Sequence, residues 1–271
     1  MKILITGHEG FIGKNMKESL EKKGHEIIGF EWNDNVGGFP DVSGMDLVIH
    51  LGAISSTTET DIDKIMDHNY DFSYKLLLAC CENKVDLQYA SSASVYGDAQ
   101  GTKPFKEDGP LKPMNAYAWS KYLFDRLVLK SMNKLPIRVQ GFRYFNVIGP
   151  QDEHKGEQAS LVTKWKNFPY VKIFEGSSHI FRDFVHVWDV CDIHENFFLH
   201  VKESDIVNIG TGAPTSFLEI AEAMDKEEII EIPMPDNLKN QYQKFTMSDN
   251  TKLESYIGKY EFRKVTEFLD Y

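Results

Sequence analysis

Cysteine is scarce in this chain, and its spacing excludes two structural uses. Cys80, Cys81 and Cys191 are the cysteines among 271 residues. They are too few and too badly spaced for a disulfide framework or a cysteine-based zinc site. We therefore expect a reducing compartment and no metal centre.

Long apolar runs are also missing. No uninterrupted stretch reaches the roughly 18 apolar residues that a membrane helix needs. Residues 1–7 run directly into a strand-like segment and lack the layout of a signal peptide. The sequence therefore predicts a soluble, cytoplasmic protein that does not enter a membrane.

Positive charge is low relative to negative charge. The chain has 30 Lys and Arg against 41 Asp and Glu, a formal net charge of -11. Nucleic acids and anionic membranes are held by clustered Lys and Arg, so this balance disfavours both as partners. An anionic small substrate would need a local basic patch.

Strand-like and helix-like patterns alternate through the first 150 residues. This alternation predicts an α/β fold with a doubly wound parallel sheet of the Rossmann type. The strands are predicted at 2–6, 26–31, 46–51, 86–91 and 137–145, and the helices at 11–23, 61–83 and 116–132.

The pattern becomes irregular after residue 150. Helical stretches at 157–167, 188–202 and 215–224 alternate with short extended pieces such as 170–174. We expect residues 1–150, where strands and helices alternate, to form a dinucleotide-binding domain. Residues 151–271 should mainly form a smaller α/β substrate lobe, which can interleave with the core.

A glycine-rich loop predicts a dinucleotide site. Gly7, Gly10 and Gly13 form G-x-x-G-x-x-G between the first predicted strand and helix. Missing side chains let backbone N–H groups approach a pyrophosphate, and the helix N-terminus adds a favourable field. Three glycines alone would also fit a plain strand-to-helix turn, so the surrounding strand and helix carry the interpretation.

The end of the second strand bears on the choice of cofactor. Glu31 stands where a carboxylate can accept hydrogen bonds from the adenosine ribose hydroxyls. No Lys or Arg lies between Glu31 and Met45, so a 2′-phosphate has no cation in this segment, and NAD is favoured over NADP. The segment is also rich in turn residues, so we expect the adenosine side of the fold to be trimmed.

A Tyr-x-x-x-Lys pair predicts acid–base chemistry. Tyr117 and Lys121 share a helical face, where the ammonium can lower the phenol pKa and make a tyrosinate base. Tyr260 and Lys264 have the same spacing, but we expect them to be an exposed pair. Position distinguishes them, because Tyr117 follows a serine-rich strand end at which Ser92 can hydrogen-bond a reacting oxygen.

These features together resemble a known family. The glycine loop, Ser-Ser-Ala-Ser-Val-Tyr-Gly at 91–97 and Tyr-x-x-x-Lys resemble the extended short-chain dehydrogenase/reductases, which include nucleotide-sugar epimerases and dehydratases. Further segments are similar to one group of that family, the ADP-L-glycero-D-manno-heptose 6-epimerases, and they extend the resemblance over nearly the whole chain. They are GAISSTTE (52–59), GFRYFNV (141–147), HKG (154–156), FEGS (174–177), RDFV (182–185) and YQKFT (242–246).

The resemblance implies individual roles. Ser92, Tyr117 and Lys121 occupy the triad positions, and Lys155 that of a second proton acceptor. The cofactor would meet Tyr117, Lys121, Gly7, Gly10, Phe11, Ile12, Gly13, Glu31, Gly52, Ala53, Asn69 and Val147. The substrate would meet Ser92, Asn146, Glu157, Lys164, Phe174, Glu175, Gly176, Ser177, Arg182 and Tyr242.

Two of these residues can supply the positive charge that a diphosphate needs. Arg182 suits bidentate contact, and Lys164 can act as a point charge. Each could instead be a solvated surface charge, and Lys155 could be an ordinary loop lysine.

The implied activity is inversion at C6 of an ADP-glycero-manno-heptose through transient oxidation by a bound nicotinamide cofactor. Tyr117 and Lys155 would be the two acid/base groups. The family also implies a homo-oligomer and often uses NADP. Its members usually carry Asp-Asn and a nearby Lys where this chain has Glu31 and Trp32, so NAD and NADP both stay open.

Two alternatives remain at this point. A UDP- or dTDP-hexose 4-epimerase or dehydratase would share the triad and the loop without normally needing Lys155, and Ala93 and Ser94 offer no carboxylate for a dehydratase. A catalytically silent dinucleotide-binding protein would have little reason to keep Ser92, Tyr117 and Lys121 together.

Overall fold

The computed structural model describes residues 1–32, 38–56, 59–98, 101–152, 160–166, 168–236 and 242–269. Within these ranges, no helix combines the length and the apolar character needed to cross a membrane. The strands of the described chain are β1 (Lys2–Thr6), β2 (Glu26–Phe30), β3 (Leu47–His50), β4 (Asp86–Ser92), β5 (Val139–Tyr144), β6 (Asn146–Ile148), β7 (Tyr170–Phe174), β8 (Phe181–Arg182), β9 (Phe184–His186), β10 (Asp205–Ile209), β11 (Thr215–Ser216) and β12 (Glu228–Ile232).

The helices follow the predicted alternation. The predicted helix at 61–83 is continuous but contains a π-helical turn at Asp67–Asp71, a feature frequent at functional sites. The α-helices are α1 (Phe11–Lys22), α2 (Ile62–Met66), α3 (Phe72–Asn83), α4 (Ala116–Ser131), α5 (Leu161–Lys166), α6 (Val187–His200), α7 (Phe217–Ala223) and α8 (Thr251–Ile257).

Six parallel strands form the central sheet in the order β2-β1-β3-β4-β5-β10, which confirms the predicted doubly wound fold. The strands β1 (KILIT) and β3 (LVIH) are mostly apolar, as expected of strands that helices cover on both faces. Leu4 and Val48 pack against α3 and α4 on one face. Ile3 and Ile5 pack against α1 and α6 on the other.

The strand order reverses between β1 and β3, which neighbour each other across the middle of the sheet. Ligands of open α/β sheets bind in the crevice at the carboxyl ends of the strands at such a point. The segment between β2 and β3 holds no helix or strand in its described parts, 31–32 and 38–46, which confirms the predicted trimming there. The glycine loop and the start of the 52–56 segment face each other at this crevice, since Gly7 packs against the backbone of Gly52.

The later part of the chain has a core of its own. Parallel pairs β6–β9 and β7–β12 and the antiparallel pair β8–β11 carry it. Val162, Ile173, Phe184 and Ile220 are among its buried residues. The chain also returns to the central sheet through β10, and the predicted division at residue 150 stays a prediction.

Candidate active site

The glycine loop is packed too closely for side chains. Gly7 has a positive φ of +74°, and a Cβ there would lie 2.5 Å from the amide nitrogen of Gly52. A Cβ on Gly13 would lie 1.9 Å from the carbonyl oxygen of Gly7. The loop can therefore bring its backbone close to a ligand at the start of α1.

A cavity of about 200 Å³ opens beside this loop and reaches the catalytic helix α4. It brings together ten of the predicted cofactor residues from four separate parts of the chain. Sequence reasoning did not single out Leu51, Ser55, Ala90, Ser91 and Tyr144, which also line it. The predicted residues are Gly7, Gly10, Phe11, Ile12, Gly13, Glu31, Gly52, Ala53, Tyr117 and Lys121.

Two predicted cofactor residues lie elsewhere. Asn69 is buried in the π-helical turn, where its side chain bonds both the N–H and the C=O of Ile54 and donates to Ser120 Oγ at 3.1 Å. It thus ties the 52–56 segment to α4 from behind the cavity. Val147 lines a neighbouring cavity next to Asn146.

Glu31 faces a second, adjoining cavity of about 270 Å³ on the adenosine side. Its Oε1 accepts a hydrogen bond from the backbone N–H of Glu9 at 2.5 Å, and the ring of His8 lies 3.4 Å from the same oxygen. Lys64 also lines this cavity. Lys64 was not predicted to lie here, because it belongs to α2 and not to the segment between β2 and β3.

The triad residues meet where β4 ends and α4 begins. Asn115 caps α4 by accepting the N–H of Ala118 at 2.9 Å, which fixes the first turn that carries Tyr117. Lys121 is buried, and its ammonium donates to the carbonyl of Ala90 at 2.9 Å. Burial lowers the pKa of Lys121 to about 8, against the opposing charge of Asp125.

The expected lowering of the Tyr117 pKa is wrong. Exclusion of water by surrounding atoms raises this pKa, and the hydrogen bond with Ser92 opposes the rise. The physical reason is that burial destabilises the charged phenolate. The Lys121 ammonium donates a hydrogen bond to the Ala90 carbonyl and does not offset this effect. Burial therefore disfavours the Tyr117 phenolate, and a role as base would require other groups to stabilise its charge.

The second Tyr-x-x-x-Lys pair has a structural role. Tyr260 donates to Asp189 Oδ1 at 3.0 Å, and Lys264 forms an exposed ion pair with Glu267 at 3.2 Å. Neither residue lines the cofactor cavity. The expectation of an exposed pair holds for Lys264 and is wrong for Tyr260, which is half-buried because it packs against Asp189.

A further cavity, of about 320 Å³, is lined by Ser94 and Asn115, each two residues in sequence from a predicted triad residue. Arg182 lines it and is 6% exposed, yet no carboxylate of the described residues lies within ion-pair distance of it. Its guanidinium donates to the carbonyls of Phe181 and Gln243 and lies over the rings of Tyr242 and Phe217. Burial lowers its pKa to about 10, so the group stays charged at neutral pH and calls for an anionic ligand.

An aromatic cavity of about 380 Å³ continues from there and shares Phe217 and Tyr242 with the Arg182 cavity. The predicted residues Lys164, Phe174 and Ser177 line it. Glu175 and Gly176 are exposed and line neither cavity. Lys155 and Glu157 lie outside the described residues.

A buried ion pair supports the catalytic helix. Asp125, one turn beyond Lys121, is fully buried, and its Oδ2 accepts from Nε of the equally buried Arg143 at 2.8 Å. Tyr89 donates to the other carboxylate oxygen at 3.0 Å. The i, i+4 spacing from Lys121 was the available sequence signal for Asp125, whereas Arg143 on β5 had none.

The parallel sheet, the glycine loop at its reversal point and the Ser-Tyr-Lys triad beside it define a short-chain dehydrogenase/reductase. The chain belongs to the NAD dependent epimerase/dehydratase family, whose profile matches residues 3–210.

Proteins named as epimerases are among those similar to this chain. The chain is 39% identical to the ADP-L-glycero-D-manno-heptose-6-epimerase of Brachyspira hyodysenteriae, over 93% of this chain and 91% of the relative. Its fold is similar to the ADP-L-glycero-D-manno-heptose-6-epimerase of Helicobacter pylori, with a TM-score of 0.85 and 24% identity over 99% of this chain and 93% of that chain. It is equally similar to the UDP-glucose 4-epimerase of Thermotoga maritima with UDP-glucose, with a TM-score of 0.85 and 24% identity over 99% and 96% of the two chains.

Proposed function

We propose that this protein inverts C6 of an ADP-glycero-manno-heptose through transient oxidation by a bound nicotinamide cofactor. The observation that carries the proposal is that Tyr117 and Lys121 line the cavity beside the glycine loop, while Asn115, two residues before Tyr117, lines a cavity that holds the buried cation Arg182. The Brachyspira relative, named as a heptose 6-epimerase, supports this choice of sugar over a hexose.

The residues suggest how the first step proceeds. Tyr117 acts as a phenolate that takes the proton of the C6 hydroxyl and becomes the neutral phenol, and the Ser92 hydrogen bond favours this phenolate before the transfer. Lys121, one helical turn away, favours the same phenolate as long as it keeps its positive charge. The residues that line the cavity beside the glycine loop would hold a nicotinamide cofactor, which would supply the acceptor for the C6 hydride.

Inversion would require that the hydride return to the opposite face of C6, and the oxygen would then need a proton donor. We assign this second role to Lys155, on the resemblance of the segment 154–156. Replacing Tyr117 with Phe or Lys155 with Ala should each impair inversion. Full activity in both variants would refute the assignment of two acid/base groups.

The Arg182 cavity and the aromatic cavity would bind the diphosphate and the base of the substrate, respectively. Arg182 would pair with the diphosphate, since an anionic ligand offsets the cost of its buried charge. The aromatic cavity with Phe174 and Tyr242 would take the base, and Lys164 at its rim would add positive charge. Glu157, Glu175 and Gly176 stay predicted contacts from the resemblance.

We further propose NAD as the preferred cofactor. The Glu31 carboxylate would bond the ribose hydroxyls and repel a 2′-phosphate, an effect that Lys64 in the same cavity opposes. Replacing Glu31 with Ser should lower affinity for NAD and raise that for NADP. Calorimetric titration of both cofactors measures the change, and an unaltered preference would refute the role of Glu31.

By the same resemblance we propose a cytoplasmic homo-oligomer, with Asn69 and Val147 near the cofactor. Light scattering of the purified protein tests the oligomer, and a monomer at micromolar concentration would refute it.

The decisive experiment incubates cofactor-stripped protein with ADP-D-glycero-D-manno-heptose and follows the two C6 epimers by NMR. NAD and NADP are supplied separately, and the Tyr117→Phe variant serves as the control. Appearance of the L-glycero epimer supports the proposal. No conversion despite bound cofactor would contradict it and direct the search to other nucleotide sugars.

A further inference from the structure

A histidine stands inside the glycine loop, next to the residue proposed to select the cofactor. His8 comes two residues after β1, and Glu31 comes directly after β2. These parallel strands end side by side, since the N–H of Gly7 donates to the Phe30 carbonyl at 2.9 Å. As a result, Nδ1 of His8 lies 3.4 Å from Glu31 Oε1. The loop therefore brings a titratable ring to the carboxylate on the adenosine side.

The ring of His8 is held in this place by packing. It lies over Gly29 of β2, where a Cβ would be 2.2 Å from His8 Cδ2. A glycine inside a strand weakens the strand and often marks a close approach of another group. The side chain of His8 is 19% exposed, so most of the ring is out of contact with water. The absence of a side chain at Gly29 thus makes room for the ring beside Glu31.

The charges around this ring set its effect on a ligand. Nε2 of His8 lies 3.9 Å from Glu9 Oε1, so each ring nitrogen is within ion-pair distance of a carboxylate. Lys64 of α2 and His68 of the π-helical turn line the cavity that Glu31 faces. Histidine is the side chain that ordinarily changes its charge between pH 5 and 8. The net charge beside the adenosine ribose therefore depends on whether His8 carries a proton.

We propose that His8 is a specificity-determining residue that sets how strongly the site prefers NAD to NADP. Its protonated ring offsets the negative charge of Glu31, so repulsion of a 2′-phosphate weakens at low pH. Its neutral ring provides no such offset, so the preference for NAD is stronger at high pH. The inference rests on the proposed role of Glu31 in selecting NAD, but not on the sugar that the protein converts.

The test compares the wild type with His8→Gln, which keeps a hydrogen-bond donor beside Glu31 but carries no charge at any pH. His8→Asn is a second neutral replacement and takes its place if His8→Gln does not fold. His25→Gln is the matched control. His25 lies 3.8 Å from Glu195 at the opposite end of β2, and it lines neither of the two cavities that Glu31 lines.

Calorimetry of cofactor-stripped protein gives the dissociation constants of NAD and NADP at pH 6 and at pH 8.5, near the two ends of the histidine range. The quantity compared is the dissociation constant of NADP divided by that of NAD. From pH 8.5 to pH 6 this ratio should fall about two- to fivefold more in the wild type than in His8→Gln, as expected of a partly exposed ion pair.

Other groups that titrate in this range do not affect the comparison. The 2′-phosphate of NADP loses charge near pH 6, but it does so with every variant and therefore cancels. Protonation of His68 cancels in the same way, because His68 is present in every variant. At pH 8.5, where the ring is neutral, His8→Gln should keep the wild-type ratio, and His25→Gln should match the wild type at both pH values.

The outcomes separate this inference from the proposed function. An equal fall of the ratio in wild type and His8→Gln, or a fall reduced as much by His25→Gln, overturns the role of His8. Neither result bears on C6 inversion, which the NMR assay measures independently. If the wild type shows no preference for NAD at pH 8.5, the proposed role of Glu31 fails. His8 then keeps its role if the ratio still falls more in the wild type than in His8→Gln, and loses it otherwise.

Discussion

Two buried arginines should respond in opposite ways when their charge is removed. Arg143 pairs with the fully buried Asp125, whereas Arg182 has no carboxylate partner among the described residues and faces a cavity. Replacing each with Met removes a guanidinium from a similar degree of burial. The two variants therefore separate a structural cation from one placed for a ligand.

The structure sets the expected magnitudes. Arg143→Met leaves the Asp125 carboxylate buried without its cation, which should lower the free energy of unfolding by about 3 to 5 kcal/mol. Arg182→Met removes donors from two backbone carbonyls, at about 1 kcal/mol each. Relief of the buried charge offsets this loss, so the net change in stability should be small.

Binding should show the reverse order. Charge-assisted hydrogen bonds contribute about 1.5 to 3 kcal/mol, so Arg182→Met should weaken nucleotide-sugar binding by roughly 10- to 100-fold. Urea unfolding measures the stability, and calorimetry measures affinity for ADP-heptose and for NAD. The reasoning is refuted if Arg182→Met binds ADP-heptose as well as the wild type does, or if it loses NAD affinity to the same extent.

Two further predictions concern the catalytic helix and the glycine loop. Burial lowers the pKa of Lys121 to about 8, so its ammonium is present below that pH and lost above it. We therefore expect kcat to fall as pH rises through about 8. A kcat that stays constant up to pH 10 would contradict this. Gly13→Ala would place a methyl group 1.9 Å from the Gly7 carbonyl oxygen. It should therefore lower the free energy of unfolding by about 1 to 3 kcal/mol and weaken NAD binding. Gly10→Ala, whose methyl group would lie 3.2 Å from the same oxygen, should have smaller effects. Urea unfolding and calorimetry would measure the two quantities.

Local patterns were enough to predict much of the fold and of the site. The alternation of apolar runs and helical faces predicts β1 to β5 and the helices between them, because each element follows from neighbouring residues. Gly7, Gly10 and Gly13, and likewise Tyr117 with Lys121, are close in sequence. Their shared cavity follows once strand ends are assumed to meet at one edge of the sheet.

Features that depend on distant parts of the chain could not be predicted. Lys64 reaches the Glu31 cavity through the packing of α2, and β10 joins the central sheet from the later part of the chain. The raised pKa of Tyr117 depends on how many atoms surround the phenol, which spacing does not reveal. Arg143 is an ordinary residue in the sequence until β5 places it beside Asp125.

The most direct test of the account is the fate of a deuterium atom at C6 of ADP-D-glycero-D-manno-heptose. Transient oxidation at the triad moves this deuterium to the cofactor and back within one active site. The account predicts that the L-glycero product keeps the deuterium at C6 when the reaction runs in ordinary water. Replacement of the label by solvent hydrogen, or inversion that proceeds without a nicotinamide cofactor, would contradict it.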